Sequence, residues 1–347
     1  MKDFKNWLSW EEAFKIEEEE RRNIDFKKLC SYGINALDDP LIAIAKNELV
    51  VIGADSGSGK STLVLDIARY NAKNNRKVAL FYLEGGHMEA MQKMKWRDIV
   101  ELYYKQHEKG EYREMDFRKW ALNCLEDNLL DLSAKVYNEW KETYNDNIFF
   151  YPITEDFKID ELLDSLLGFH KLIETPYNEF KKDEKYDLDL IIIDHLQYFS
   201  LNRDDNEITE ITKIIREVKK ITDYYNIPVI LVSHLRKKGK DRGLPDQEDF
   251  YGSSNIPKIA TTAITITNDT SLDNLKDEIF PTYFRIVKSR IGVRPNYAIR
   301  CDYNLNLKEY DKMYQICRLD SMGNILPDLE FKDYPKWAKN IRFNPKD

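Results

Sequence analysis

Cysteine is scarce, long apolar runs are missing and positive charge is in deficit, and each shortage narrows what this chain can be. Cys30, Cys124, Cys301 and Cys317 are the only four in 347 residues. They lie far apart with neither metal-binding nor paired spacing, which argues against a disulfide scaffold or a zinc module and predicts reduced thiols. Charged residues make up 33% of the chain and break every apolar run well short of the ~20 residues a membrane helix needs. The N-terminus has Trp7, Trp10 and acidic residues where a signal peptide has an unbroken apolar segment. A cytoplasmic protein without a membrane partner is the expectation. With 53 basic against 61 acidic residues, the net charge is −8; the surface as a whole is not that of a nucleic-acid binder, although a local basic strip is compatible with it. There is no internal repeat and no low-complexity tail. What is present, 42% apolar residues, suffices for one large core with small appendages.

One stretch organises the rest. Leu49 to Ile52 is an apolar, β-branched run that reads as a buried parallel strand. Ala54 to Ser61 then fits the phosphate-loop pattern [AG]-x-x-x-x-G-K-[ST], and Leu63 to Tyr70 continues as an amphipathic helix. The candidate phosphate contacts are Ala54, Asp55, Ser56, Gly57, Ser58, Gly59, Lys60, Ser61 and Thr62. Gly57 and Gly59 allow a tight turn that aims successive N–H groups at phosphate oxygens, and the helix adds the positive end of its dipole. Lys60 suits the β- and γ-phosphates, and the Ser61 hydroxyl suits Mg²⁺. A bound nucleoside triphosphate is the expectation.

Along the chain, other strands end on polar residues. Residues 77–83 end on Glu84, which could polarise an attacking water or simply face solvent. Leu188 to Ile193 ends on Asp194, the usual second Mg²⁺ partner beside a phosphate loop. Ile227 to Val232 ends at Ser233 and His234. Arg236-Lys237-Lys238-Gly239-Lys240-Asp241-Arg242 packs five cations into seven positions, and a solvated loop and a nucleic-acid contact are equally open readings. Strands at 259–267 and 283–287 follow, the latter running into Lys288 and Arg290, a pair that either faces solvent or reaches a neighbour's γ-phosphate in a ring. Helices are expected over 88–145, 159–173 and 207–225, a short strand over 147–152 and a surface loop over 175–185. Met88, Met91 and Met94 have core spacing, and Ile208, Ile211, Ile215, Val218 and Tyr225 form one buried face. Near the start, a Ser9–Glu12 capping box and a Trp7, Trp10, Phe14 stripe predict a helix packed either on its own domain or on another subunit.

Taken together, these segments resemble the RecA-fold motor domain of DnaB-type replicative helicases, superfamily 4, nearest the phage and mitochondrial branch. The likeness runs from about Ser31 to Tyr310 and keeps the motif order: Ala54–Thr62, Phe81-Tyr-Leu-Glu84, Ile193-Asp194-His-Leu-Gln197, Val232-Ser-His234-Leu-Arg236, Asp249-Phe-Tyr-Gly-Ser253 and Val287-Lys288-Ser-Arg290. Gly85-Gly86 departs from the usual residues after the catalytic glutamate. The resemblance implies an α/β, RecA-like phosphate-loop core with a mostly parallel sheet. It also implies a helical arm or linker at 1–30, the ATPase domain at 31–315 and an extension at 316–347. It implies ATP and Mg²⁺, with Glu84 polarising water, His234 sensing the γ-phosphate, and Arg290 and Lys288 acting across a subunit interface. Loops at 202–206 and 236–254 would line a channel for single-stranded DNA, contacted by Arg203, Arg236, Lys237, Lys238, Lys240, Arg242, Gly252 and Ser253. Partners implied are further copies in a ring, six expected, and a separate primase or polymerase, because the N-terminal region is too short for a priming domain; the setting is a bacterial or phage-infected cell. Two rivals share the phosphate loop and Asp194: a non-motor RecA-like ATPase that serves as recombination mediator or switch, and an accessory ATPase that loads another helicase.

Overall fold

The computed structural model describes residues 8–55, 57–106, 115–124, 127–152, 157–171, 188–201, 206–236, 243–252, 254–269, 278–290, 297–326 and 334–342. The surface loop expected at 175–185 lies outside them. Among the described residues the strands are β1 (Leu49–Ala54), β2 (Val78–Tyr82), β3 (Ile148–Phe150), β4 (Leu190–Asp194), β5 (Val229–His234), β6 (Thr262–Asn268), β7 (Ile279–Ser289), β8 (Tyr297–Asn304), β9 (Glu309–Tyr310) and β10 (Gln315–Arg318). The helices are α1 (Trp10–Asn23), α2 (Asn35–Leu41), α3 (Lys60–Lys73), α4 (Gly86–Gln106), α5 (Phe117–Ala121), α6 (Asp127–Tyr144), α7 (Ile159–Lys171), α8 (Glu207–Tyr225) and α9 (Asn255–Ile259).

All ten strands form one sheet in the order β10-β8-β7-β6-β1-β5-β4-β2-β3, with β9 on β8. The first six strands in sequence pair in parallel, and β7, β8, β9 and β10 extend the sheet antiparallel. The central strands β1 and β4 are buried at every position. That is why they read as continuous apolar runs rather than as alternation: helices cover both faces of a parallel sheet. One face, with Val50, Ile52, Leu80, Ile192 and Val232, packs against α2, α3 and α4. The other, with Leu49, Val51, Phe81, Ile193 and Leu231, packs against α7 and α8.

Among the described residues, α4, α5 and α6 lie in the helical region expected at about 88–145, α7 in that expected at 159–173 and α8 in that expected at 207–225. The apolar stripe is narrower than expected: Met94 is buried whereas Met88 and Met91 are exposed, and Ile208 is exposed at the first turn of α8. Helix α1 carries the Ser9–Glu12 capping box, and Trp10 stacks on Phe14 with ring centroids 5.2 Å apart, yet none of its residues is buried. Helix α1 therefore buries no residue on its own domain, and Trp7 of the expected stripe lies outside the described residues. At the other end, the boundary expected after residue 315 falls inside β10. Tyr334, Trp337, Ala338 and Ile341 pack on the core, and Arg342 donates to Asp302 at 2.7 Å. These segments complete the sheet edge.

Candidate nucleotide site

The turn between β1 and α3 is built as the composition requires. Gly57 (φ +79°) and Gly59 (φ +85°) sit in the left-handed region, where a side chain is strained. The Ser58 amide and hydroxyl both donate to Asp55 O, at 3.2 and 2.7 Å, which closes the loop. No side chain caps α3, so its first N–H groups remain for a ligand, with the helix dipole behind them. Lys60 is buried in this turn. Thr62 is turned away from the loop, its hydroxyl accepting from Tyr303 at 3.3 Å, while Tyr310 donates to Gly59 O at 3.4 Å. Ser56 lies outside the described residues.

Parallel register brings the strand-end groups together. Tyr82 pairs with Asp194, and Ala54 with His234. Glu84 Oε2 stands 3.4 Å from Lys60 Nζ and 3.5 Å from His195 Nε2. The His195 and His234 rings meet edge to face with centroids 4.3 Å apart. Burial, then the nearby His234 and Lys60, push the His195 imidazole down to about 3. The ring is thus neutral at pH 7. Its Nδ1 accepts from the Gln197 amide at 3.3 Å, so Nε2 carries the proton and faces Glu84. Burial and Lys60 also lower the His234 pKa. Gln197 ties the two strand ends, donating to Ser233 Oγ at 3.1 Å and accepting from the His234 amide at 3.2 Å. The glycines after Glu84 have a local cause. A Cβ on Gly85 would overlap the Glu89 carboxylate and lie 2.8 Å from the Tyr82 ring, and Gly86 has φ +72°.

Asp194 is the anomaly. Its carboxylate is fully buried, and neither oxygen has a hydrogen-bond partner. Burial pushes its pKa up to about 6, opposed by Lys60 and by the Ser61 hydroxyl, which lies nearby without completing a hydrogen bond to either oxygen. An unpaired carboxylate in the core costs stability and suits a cation. Asp194 and Ser61 fit Mg²⁺, which binds through few protein oxygens and completes its shell with water and phosphate. Such a site needs no larger cluster of ligating side chains, and among the described residues none is found.

The expected trans-acting pair lies at the opposite end of the sheet. β7 runs antiparallel to β6, placing Lys288 beside Ala263. The Arg290 amide donates to Thr261 O, and the Thr261 amide to Leu49 O. Arg290, which is exposed, is therefore level with the start of β1, about 16 Å along the strands from Ala54 at ~3.3 Å per residue, and two strands across. No arginine side chain spans that to its own phosphate loop. Lys288 is engaged within the chain, donating to Pro257 O and Lys258 O at 2.7 Å each. Of the candidate DNA contacts, Arg236 is exposed at the end of β5, and Gly252 (φ +87°) lies over Ile211. Arg203, Lys237, Lys238, Lys240, Arg242 and Ser253 lie outside the described residues.

The family model for the DnaB-like helicase C terminal domain matches residues 30–138 and 169–312, well over half of the chain. This chain belongs to the DnaB-like helicase C-terminal domain family. A probable plasmid replicative DNA helicase of Chlamydia trachomatis is 26% identical over 245 residues, covering 70% of this chain and 48% of that protein. The chain thus spans about half the length of such relatives. Among solved structures, the ATPase domain of G40P superposes with a TM-score of 0.67 at 18% identity, covering 88% of this chain and 99% of that one. A DnaB-like replicative helicase, described with its interactions with primase, gives 0.62 at 17%, covering 92% and 68%. At these identities the superpositions establish the RecA-like ATPase fold.

Within this DnaB-like domain, sequence reasoning passed over four residues that shape the site. His195 and Gln197 lie one and three positions after Asp194 and are legible as polar residues in an apolar strand-end motif. Tyr303 and Tyr310, which brace the phosphate loop, come from β8 and β9, a region where no motif marks them.

Proposed function

We propose that the chain is the ATP-hydrolysing motor of a replicative DNA helicase that assembles as a ring, of six copies by expectation, and moves along single-stranded DNA to part the duplex. The observation that carries this reading is the separation of Arg290 from the phosphate loop of its own chain. A cation needed at the γ-phosphate and held at the far sheet edge fits a site completed by a neighbouring copy. The unburied stripe of α1 supports the same arrangement, since Trp10 and Phe14 find no cover on their own domain.

In this scheme the loop amides and Lys60 hold the triphosphate. Mg²⁺, held by Ser61 and Asp194, would offset charge on the phosphate oxygens. Glu84 takes a proton from the water that attacks the γ-phosphorus as the bond to the ADP oxygen breaks. A bound triphosphate competes with Glu84 for Lys60, leaving the carboxylate oriented by the His195 Nε2–H. His234, neutral and level with Ala54, is placed to sense the γ-phosphate. Single-stranded DNA would contact Arg236 and the basic residues that follow it, and a separate primase or polymerase would act alongside in the cytoplasm.

The test is ATP turnover and strand displacement by the purified chain on forked DNA. Turnover raised several-fold by single-stranded DNA, with ATP-dependent displacement, is the expected result. Slow turnover indifferent to DNA, with no displacement, would replace the motor by a switch or loader.

A further inference from the structure

Strand β7 carries a buried arginine that the nucleotide chemistry above does not use. Arg285 is 8% exposed and lies on the strand that Arg290 directly follows. Its Nη1 donates to Leu244 O at 3.1 Å and to Pro245 O at 3.2 Å, and its Nη2 to the Asp246 carboxylate at 3.1 Å. Thr265, its cross-strand neighbour, donates to the same Pro245 O at 3.1 Å. Gln247 Nε2 then donates to Val287 O at 2.5 Å. Residues 244–251 are thereby strapped to β7 along their first half.

Their second half is fastened to the nucleotide end of β5. The Tyr251 amide donates to His234 O at 2.9 Å, the Arg236 amide donates to Asp249 O at 2.7 Å, and Leu235 forms a bridge with Phe250. One short limb therefore touches the strand that presents His234 to its own site and the strand that presents Arg290 outward. A buried guanidinium is a poor choice for filling space. Its rigid fork is a good choice for fixing several acceptors relative to one strand.

We propose that Arg285 is a positioning residue that locks limb 244–251 to β7, so that displacement of His234 by nucleotide is transmitted to Arg290 at the next copy's site. Arg285 holds acceptors of its own chain; it sets the geometry between nucleotide and neighbour. This rests on the ring-ATPase reading above.

The test dopes rings with Lys60→Ala subunits and follows ATP hydrolysis against the doped fraction. Independent sites lose activity in proportion, so half-doped rings keep about half, whereas neighbours coupled in pairs keep about a quarter. The parent should follow the steeper curve. Arg285→Lys, which keeps a cation beside Asp246 but loses the fork, should return it to proportionality while melting close to the parent. Gln247→Met, which cuts a separate strap at a half-buried site, should shift the curve the same way by less, and it serves if Arg285→Lys folds poorly. A purely structural role would lower melting temperature and leave the steep curve in place, which would overturn the inference. So would a proportional curve for the parent in proven mixed rings, although strand displacement would still uphold the motor. A parent that neither hydrolyses ATP nor displaces strands would remove the motor reading and this inference with it.

Discussion

The two halves of helix α3 bury charge in opposite ways. At its start, Lys60 and Ser61 face the Asp194 carboxylate, both of whose oxygens are unpartnered, and Lys60 is only loosely opposed by Glu84 at 3.4 Å. Two turns later each buried charge has an ionic partner, although Arg97 Nε makes no hydrogen bond. Arg69 meets Asp66 at 3.2 Å, Asp98 at 2.8 Å and Glu101 at 2.7 Å; Arg97 meets Asp66 and Glu309 at 3.4 Å each; Lys73 pairs with Asp98 and Glu101. The tyrosine hydroxyl of Tyr144 and the indole of Trp140 also donate to Asp98. The paired half fastens α3 to α4, α6 and β9. The unpaired half is the part that the proposed Mg²⁺ and nucleotide would complete. The same helix thus separates charge that holds the fold from charge assigned to the proposed nucleotide site.

Breaking each half should give opposite signatures. The largest effect is expected for Lys60→Ala: hydrolysis falls on the order of 10³-fold, since the γ-phosphate loses its fixed cation, while the melting temperature stays level. A large drop in melting temperature would place Lys60 with the structural network instead. Arg69→Met should do the reverse, costing about 3–5 kcal/mol in urea unfolding because buried carboxylates lose their partner, with turnover per folded molecule largely kept.

Asp194→Asn sharpens the contrast. Burial pushes the native carboxyl up to about 6 from its ordinary 3.8, so the fold favours the protonated form more than the unfolded chain does. This group supports stability below about pH 4 and withdraws it as pH rises through 6. Asparagine mimics the neutral form and should stabilise the nucleotide-free protein at pH 7 by about 1–3 kcal/mol, while weakening Mg²⁺-dependent nucleotide binding. A destabilised Asp194→Asn would mean that the carboxylate is satisfied after all. The smallest effect concerns the paired half. Burial opposes ionisation of Glu101, but Arg69 and Lys73 hold its carboxyl down to about 2, below the ordinary 4.5. Its contribution is present above pH 4.5 and fades as pH falls toward 2, and Glu101→Gln should flatten acid unfolding over that window.

The unpaired half was readable from sequence and the paired half was not. The phosphate loop, Glu84, Asp194 and His234 announce themselves because strand ends in a parallel sheet share one edge, so polar residues closing apolar runs must converge there. Arg69, Asp98 and Glu309 carry no such marker; charged residues on helices usually face solvent, and only the packing of α3 on α4 buries these. Likewise β8 and β10, which extend the sheet, alternate with polar residues in a chain that is charged throughout. No strand is expected there from the sequence, which places β8 within the ATPase domain and β10 at the start of a C-terminal extension without a motif. Met88 and Ile208 fell outside the core because helical spacing fixes a face but not its width.

The central claim is that a complete catalytic site spans two copies, and a mixture of Lys60→Ala and Arg290→Ala subunits tests it most directly. Each alone should be inactive, the second still binding ATP, because an arginine completing a neighbour's site contributes on the order of 10³-fold or more to hydrolysis. Mixed under subunit exchange, with ring formation followed by light scattering, they should regain activity wherever an intact phosphate loop meets an intact Arg290. Proven mixed rings that remain as inactive as their parents would contradict the account and confine Arg290 to its own chain.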